Sequence, residues 1–137
     1  MPGSVCPPLP GRRAFSAPAV NQFEVSPICQ QQHIIEASRR WGAVAQAYSS
    51  LAQARADLLG AGPVTAAAAS HGITPAQVCL SWALARGLVV IPRSSRPARI
   101  EENAAAADLT EDELAAIDSL EREDGSGRCC WDPHTVR

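Results

Sequence analysis

With 137 residues, 46% of them hydrophobic, and a formal net charge of −2, the chain is long enough for one ordinary folded unit with a single core. No Asp or Glu precedes Glu24 and the last third mixes acidic with basic residues, a balance that argues against general attraction to nucleic acid or to a membrane surface. All 12 basic residues are arginines, lysine is absent, and no run approaches the ~20 apolar residues of a membrane-spanning helix.

Residues 1–17 hold four prolines, two glycines and two arginines, a composition that sustains neither a helix nor a strand ladder, and they read as a disordered, proline-rich lead. Two arginines without an acid are a faint organelle-targeting signature, which the prolines oppose by breaking an amphipathic targeting helix. A folded unit is expected over 18–122. It begins with AVNQFEV (19–25), where Val20, Phe23 and Val25 favour a strand that Ser26-Pro27 closes. Residues 29–41 place Ile34, Ile35, Ser38 and Trp41 along one helical face and stop at Gly42. AVAQAY (43–48) is short, apolar and followed by serines, the pattern of a buried parallel strand. Strand, helix and strand together predict a βαβ unit.

Residues 49–62 read as a loop, after which Pro63 opens a short alanine-rich helix ending at His71-Gly72. Thr74, Pro75 and Gln77 stand at the N-cap, N1 and N3 places of a capping box, and the apolar QVCLSWALAR beyond them predicts a largely buried helix. LVVI (88–91) is a third buried strand, stopped by Pro92. A helix is expected from near Pro97 to about Ala107, and a second capping box, Thr110 with Glu113, opens a last helix through Leu114, Ile117 and Leu120. Residues 123–137 read as an irregular tail. Trp41 and Trp82 read as core residues, and His33, His71 and His134 as surface or helix-end residues without the spacing of a metal or catalytic pair. The five cysteines (Cys6, Cys29, Cys79, Cys129, Cys130) are odd in number and lack zinc or CxxC spacing. They read as thiols in a reduced, cytoplasmic setting, with Cys129 and Cys130 near a flexible tail.

The candidate chemistry lies in IPRSSRPARIEEN (91–103), where an apolar strand runs into serines, arginines and a helix start. A helix N-terminus offers free N–H groups and positive partial charge, Ser94 and Ser95 offer hydroxyls, and Arg93 and Arg99 offer guanidinium forks. Arg99 and Asn103 are four residues apart and share a helix face. Spacing alone leaves two readings open: an anion site, or a solvated turn whose arginines are capped by Glu101 and Glu102.

This segment resembles the stretch that follows the eighth barrel strand in the aldo-keto reductase superfamily, an Ile-Pro-Lys-Ser run followed by Arg-Ile and Glu-Asn. The resemblance implies that Arg93, Ser94 and Arg99 hold the 2′-phosphate of NADP(H) and that Glu102 and Asn103 approach the adenine. Arginine at 93 replaces the commoner lysine and keeps the charge. AVNQFEV is similar to the sixth barrel strand, which implies that Gln22 contacts the nicotinamide carboxamide. AYSSL is similar to the seventh strand and its loop, which implies that Tyr48 stacks on the nicotinamide while Ser49 and Leu51 approach the pyrophosphate. Ser50 stands where the family usually has proline, leaving that loop less rigid. ITPAQVCLSWALARGLVVIP matches the family's helix and eighth strand, with a weaker echo at Trp131-Asp132-Pro133.

The fold class so implied is α/β: a partial (β/α)8 TIM barrel, comprising the last three strands with their helices as an incomplete parallel sheet. The inward strand face and both sheet edges would then be open. The family resembled consists of NADP-dependent oxidoreductases of aldehydes and ketones, in which a tyrosine donates the proton and a lysine, an aspartate and usually a histidine tune it. These residues belong to the earlier part of the barrel, so no catalytic residue is expected here, and a chain without lysine cannot rebuild the pair elsewhere. Three functions stay open: a C-terminal fragment inactive alone, one piece of a split reductase completed by an N-terminal half-barrel polypeptide, and a non-catalytic NADP(H)-binding or interaction module.

Overall fold

The computed structural model describes residues 18–132. Three parallel strands form one sheet in the order β1-β2-β3, with β1 at Val20–Glu24, β2 at Val44–Tyr48 and β3 at Val89–Val90. Helices α1 (Gln32–Arg40), α2 (Ala56–Leu59), α3 (Gly62–His71), α4 (Pro75–Ala85), α5 (Pro97–Ala104) and α6 (Glu111–Asp118) complete the described chain. The sheet does not close, so β1 and β3 are its two edges, the arrangement of a partial βα-barrel.

Register explains which face is covered. Val20 pairs with Val44, Gln22 with Gln46 and Glu24 with Tyr48, while Gln46 pairs onward with Val89. Side chains alternate across a strand, so these residues share one face, and Asn21, Phe23, Val25, Ala45 and Ala47 share the other. The second face meets the helices, with Val25, Ala45 and Ala47 packed into a core with Ile35, Leu58, Val64, Val78, Trp82 and Ile117. The first face is bare over most of its length, with Val20 and Val44 each 48% exposed, Val89 41% and Ile91 45%, whereas Glu24 at its far end is fully buried.

Trp82 is fully buried, and its indole N–H donates to Asp118 at 2.8 Å, which satisfies the one polar atom it carries into the core. Arg86 lies 4.6 Å over the same ring and pairs with Asp118, joining α4 to α6. Both capping boxes form at their expected positions, Thr74 with Gln77 on α4 and Thr110 with Glu113 on α6. On α1 the buried Ser38 hydroxyl donates to the Ile34 carbonyl at 2.8 Å and accepts from Asn21 at 2.9 Å, so a polar residue is satisfied on an inward face.

Several boundaries differ from those expected. The first helix starts at Gln32 rather than at 29, because Ser26 and Cys29 exchange backbone hydrogen bonds in a tight turn and Gln31 then takes a left-handed conformation. Trp41 is not core: the helix ends at Arg40, and Trp41, at the C-cap beyond the last turn, is 50% exposed. The 49–62 loop contains a tight turn at Ala52–Ala54 and α2, which buries Leu58. The third strand shrinks to two residues because β2 is its one neighbour in the described sheet and pairs with Val89 and Val90 alone. The helix at Pro97 stops at Ala104, where Gln77 binds the Ala105 carbonyl and Ser81 accepts the Ala107 N–H, drawing the backbone outward.

The segment from Arg122 to Asp132 has no helix or strand, yet it is not a loose tail. The backbone amides of Cys129 and Cys130 donate to the carboxylate of the fully buried Glu24 at 2.6 and 3.0 Å. Gly127 seats against the Ile28 carbonyl so closely that a Cβ would lie 1.6 Å from its oxygen. His33 is exposed and His71 ends α3, whereas Cys6, His134 and the proline-rich lead fall outside the described residues. Among the described residues no helix is long and apolar enough to cross a membrane.

Candidate functional site

A cleft of about 660 Å³ opens beyond the carboxyl ends of β2 and β3. One wall is the Ser49–Ala54 loop, contributing Ser49, Ser50, Leu51, Gln53 and Ala54. The other comprises Ile91 to Ser94 with Arg99, Glu102 and Asn103 of α5, and the start of α4 at Thr74 to Ala76 forms the back. Seven of the nine residues singled out in the sequence therefore line one cavity: Ser49, Leu51, Arg93, Ser94, Arg99, Glu102 and Asn103. Gln22 and Tyr48 are not among its lining residues and lie on the bare sheet face instead, where the Gln22 amide donates to Gln46.

Local sequence explains the α5 wall. Ser94 Oγ accepts from the Arg96 amide at 3.1 Å, turning the chain into the helix that Pro97 opens. Arg99 and Asn103, one turn apart, then face the same cavity. Among the described residues neither Arg93 nor Arg99 forms an ion pair. Both are exposed. The alternative in which Glu101 and Glu102 cap the arginines is not what the fold adopts. Glu102 instead accepts from the Thr74 hydroxyl, while Gln77 of the same capping box reaches the Ala105 carbonyl at 3.1 Å. The cap of α4 thus braces α5.

The opposite wall is held in an unusual conformation. Ser49, Ala52, Gln53 and Ala54 have φ of 53°, 47°, 57° and 60°. None is glycine, and left-handed conformation costs about 1–2 kcal/mol for each such residue. Ser50 helps to close the turn, its hydroxyl donating to the Ala47 carbonyl at 3.3 Å. Further contacts come from the C-terminal segment: Ser49 Oγ lies 3.2 Å from Cys130 Sγ, and Arg55 donates to the Ser126 carbonyl at 2.9 Å. Sequence reading gave Thr74 only its cap role and passed over Glu24 entirely. A lone acid inside an apolar strand was the available signal for Glu24.

Burial raises the proton affinity of one phenol and two thiols. Burial, with the Cys130 and Glu24 charges adding to it, pushes the Tyr48 phenol above its ordinary value, so Tyr48 is a poorer acid than a free tyrosine. Burial also pushes Cys29 up to about 11, with Glu24 adding to it, and Cys79 up to about 12, which keeps both as inert thiols.

A parallel βα sheet, unclosed, with an arginine-bearing cleft beyond the carboxyl ends of its strands defines one arc of a βα-barrel. The Aldo/keto reductase family model matches residues 11–122. The chain belongs to that family. It is 42% identical over 110 residues to an aldo-keto reductase of Mycobacterium sp. (strain MCS), covering 79% of this chain and 38% of that protein. The glycerol 2-dehydrogenase (NADP(+)) of Saccharomyces cerevisiae (strain ATCC 204508 / S288c) is 34% identical over 122 residues, covering 87% of this chain and 39% of the enzyme. A crystal structure of a Gox0644 variant in complex with NADPH superposes with a TM-score of 0.79 at 34% identity, covering 87% of this chain and 43% of the other. The chain spans about two fifths of the length of the relatives it matches.

Proposed function

We propose that the chain carries the NADP(H)-binding portion of an aldo-keto reductase barrel and does not reduce carbonyls unaided. The observation behind this reading is convergence: Ser49 and Leu51 meet Arg93, Ser94, Arg99, Glu102 and Asn103 across one cleft, although more than forty residues separate the two groups. The residues fit a phosphorylated dinucleotide, because both guanidinium groups are exposed beside a helix start and form no ion pair among the described residues.

In this reading Arg99, Arg93 and Ser94 take the 2′-phosphate, Glu102 and Asn103 the adenine, and Ser49 and Leu51 the pyrophosphate. Tyr48 offers its ring to the nicotinamide and Gln22 its amide to the carboxamide, from the bare face of the sheet. A bound NADPH supplies hydride to a carbonyl carbon, and the protein's part is to orient it and to deliver a proton. In this reading the described residues serve the first and the earlier strands the second, since burial holds the Tyr48 phenol above its ordinary pKa and the chain has no lysine to lower it.

The half-exposed valines and the two open sheet edges favour a second element in the same reading, a polypeptide supplying the earlier strands. Calorimetry with NADPH and an aldehyde-reduction assay on one preparation test the proposal. Binding without turnover is expected. Turnover by the chain alone, or no binding at all, would sink it.

A further inference from the structure

Glu24 is the one fully buried carboxylate among the described residues, and nothing in the dinucleotide reading uses it. It ends β1 opposite Tyr48, on the sheet face that carries Gln22. Its partners lie about a hundred residues away: the amides of Cys129 and Cys130 at 2.6 and 3.0 Å, and the Arg128 guanidinium at 3.9 Å. Arg128 also donates to Gln31 at 2.9 Å, and the Gln31 amide donates back to the Glu24 carbonyl. A carboxylate taken out of water needs such donors. Together they dock the 122–130 segment.

That segment in turn grips the left-handed loop. Cys130 Sγ lies 3.2 Å from Ser49 Oγ, Gln53 donates to the Cys129 carbonyl at 3.5 Å, Arg55 donates to the Ser126 carbonyl at 2.9 Å, and Arg122 pairs with Asp57 at 2.9 Å. Ala52, Gln53 and Ala54 stand consecutively at positive φ, a run that side-chain-bearing residues do not hold on their own propensity. Backbone bonds within the turn, the Ser50 hydroxyl and the burial of Ala52 hold it on one side, and the docked segment holds it on the other.

We propose that Glu24 is a positioning residue for the cleft, acting through the 122–130 segment to keep the Ser49–Asp57 loop in the conformation that lines it. The effect on NADP(H) rests on the function proposed above; the coupling of segment to loop does not.

Hydrogen exchange on the full chain, with NADPH affinity measured alongside, tests this with two variants. Glu24→Gln removes the charge that two amides share, and Gly127→Ala drives a methyl into the Ile28 carbonyl, undocking the segment without touching Glu24 or the cleft. Both are expected to raise exchange over 122–130 and, about tenfold, over 49–57, to leave α4 protected, and to weaken NADPH about tenfold without changing its preference over NADH. Release of 122–130 with 49–57 unchanged would overturn the proposal. Should Glu24→Gln unfold the chain, exposing α4 as well, Gly127→Ala decides. Should the unaltered chain bind no NADPH, the cofactor reading fails while the exchange comparison still decides the coupling.

Discussion

The Thr74 hydroxyl serves two helices at once: it accepts from the Gln77 amide to cap α4, and it donates to the Glu102 carboxylate on α5. The link ties the first turn of one helix to the arginine-bearing wall of the cleft. It also occupies the carboxylate that lines the cleft beside Arg99.

Thr74→Val keeps the shape and removes both bonds. Loss of the cap alone is expected to cost about 0.5–2 kcal/mol in urea unfolding. Glu102, released, becomes available to Arg99 three residues earlier on the same helix, so NADPH should bind more weakly in the variant. A stability loss with unchanged affinity would show that the brace does not shape the site.

Arg99 should discriminate between cofactors. Truncation to alanine removes a charge-assisted contact of a kind that contributes about 1.5–3 kcal/mol, so NADPH affinity is expected to fall about 10- to 100-fold. NADH, which lacks the 2′-phosphate, should change much less. Equal losses for both nucleotides in parallel titrations would remove the 2′-phosphate assignment.

Trp82 joins the core to α6. Trp82→Phe keeps most of the apolar volume but leaves Asp118 without its indole donor, and a loss of about 1–3 kcal/mol is expected. Trp82→Ala should cost about 3–5 kcal/mol because a cavity opens as well. Similar losses for the two variants in denaturant would mean that the hydrogen bond, rather than the packing, dominates at this position.

Through Arg122, Asp57 is expected to make the C-terminal segment sensitive to acid. Hydrogen bonds from Arg55, with a further one from Arg122, hold its carboxyl down to about 2 against an ordinary value of 3.8. The folded pKa lies below the unfolded one, so this contribution is complete above about pH 4 and is lost as the pH falls towards 2. Protection of the 122–130 segment, taken relative to the intrinsic exchange rate at each pH, should therefore fall over that interval, and Asp57→Asn should show the lowered protection at neutral pH. A segment equally protected in Asp57→Asn would place its anchorage elsewhere.

Legibility in the sequence followed the range of the interactions. Capping boxes at Thr74 and Thr110 were readable because donor and acceptor lie three residues apart, and the three parallel strands because short apolar runs alternate with helical periodicity. The 91–103 segment showed its character through residue type alone, arginine and serine at a helix start. Trp41 misled because periodicity continues past the point where the backbone leaves the helix. The lone Glu24 could not be interpreted, since its partners lie more than a hundred residues away and are backbone amides, which any residue supplies.

By itself, then, the sequence determined most of the local elements, the family resemblance, the arginine and serine content of 91–103 and the want of a lysine to tune a proton donor. The tertiary structure decided three other things: that the 49–54 and 91–103 segments close on one cleft, that most of the strand face bearing Gln22 stays open, and that Cys129 and Cys130 are pinned to a carboxylate buried at its end. The reason is physical. Local propensity and residue chemistry act over a few residues along the chain, whereas a cavity, an unpaired sheet and a desolvated charge exist only when distant segments are brought together in space.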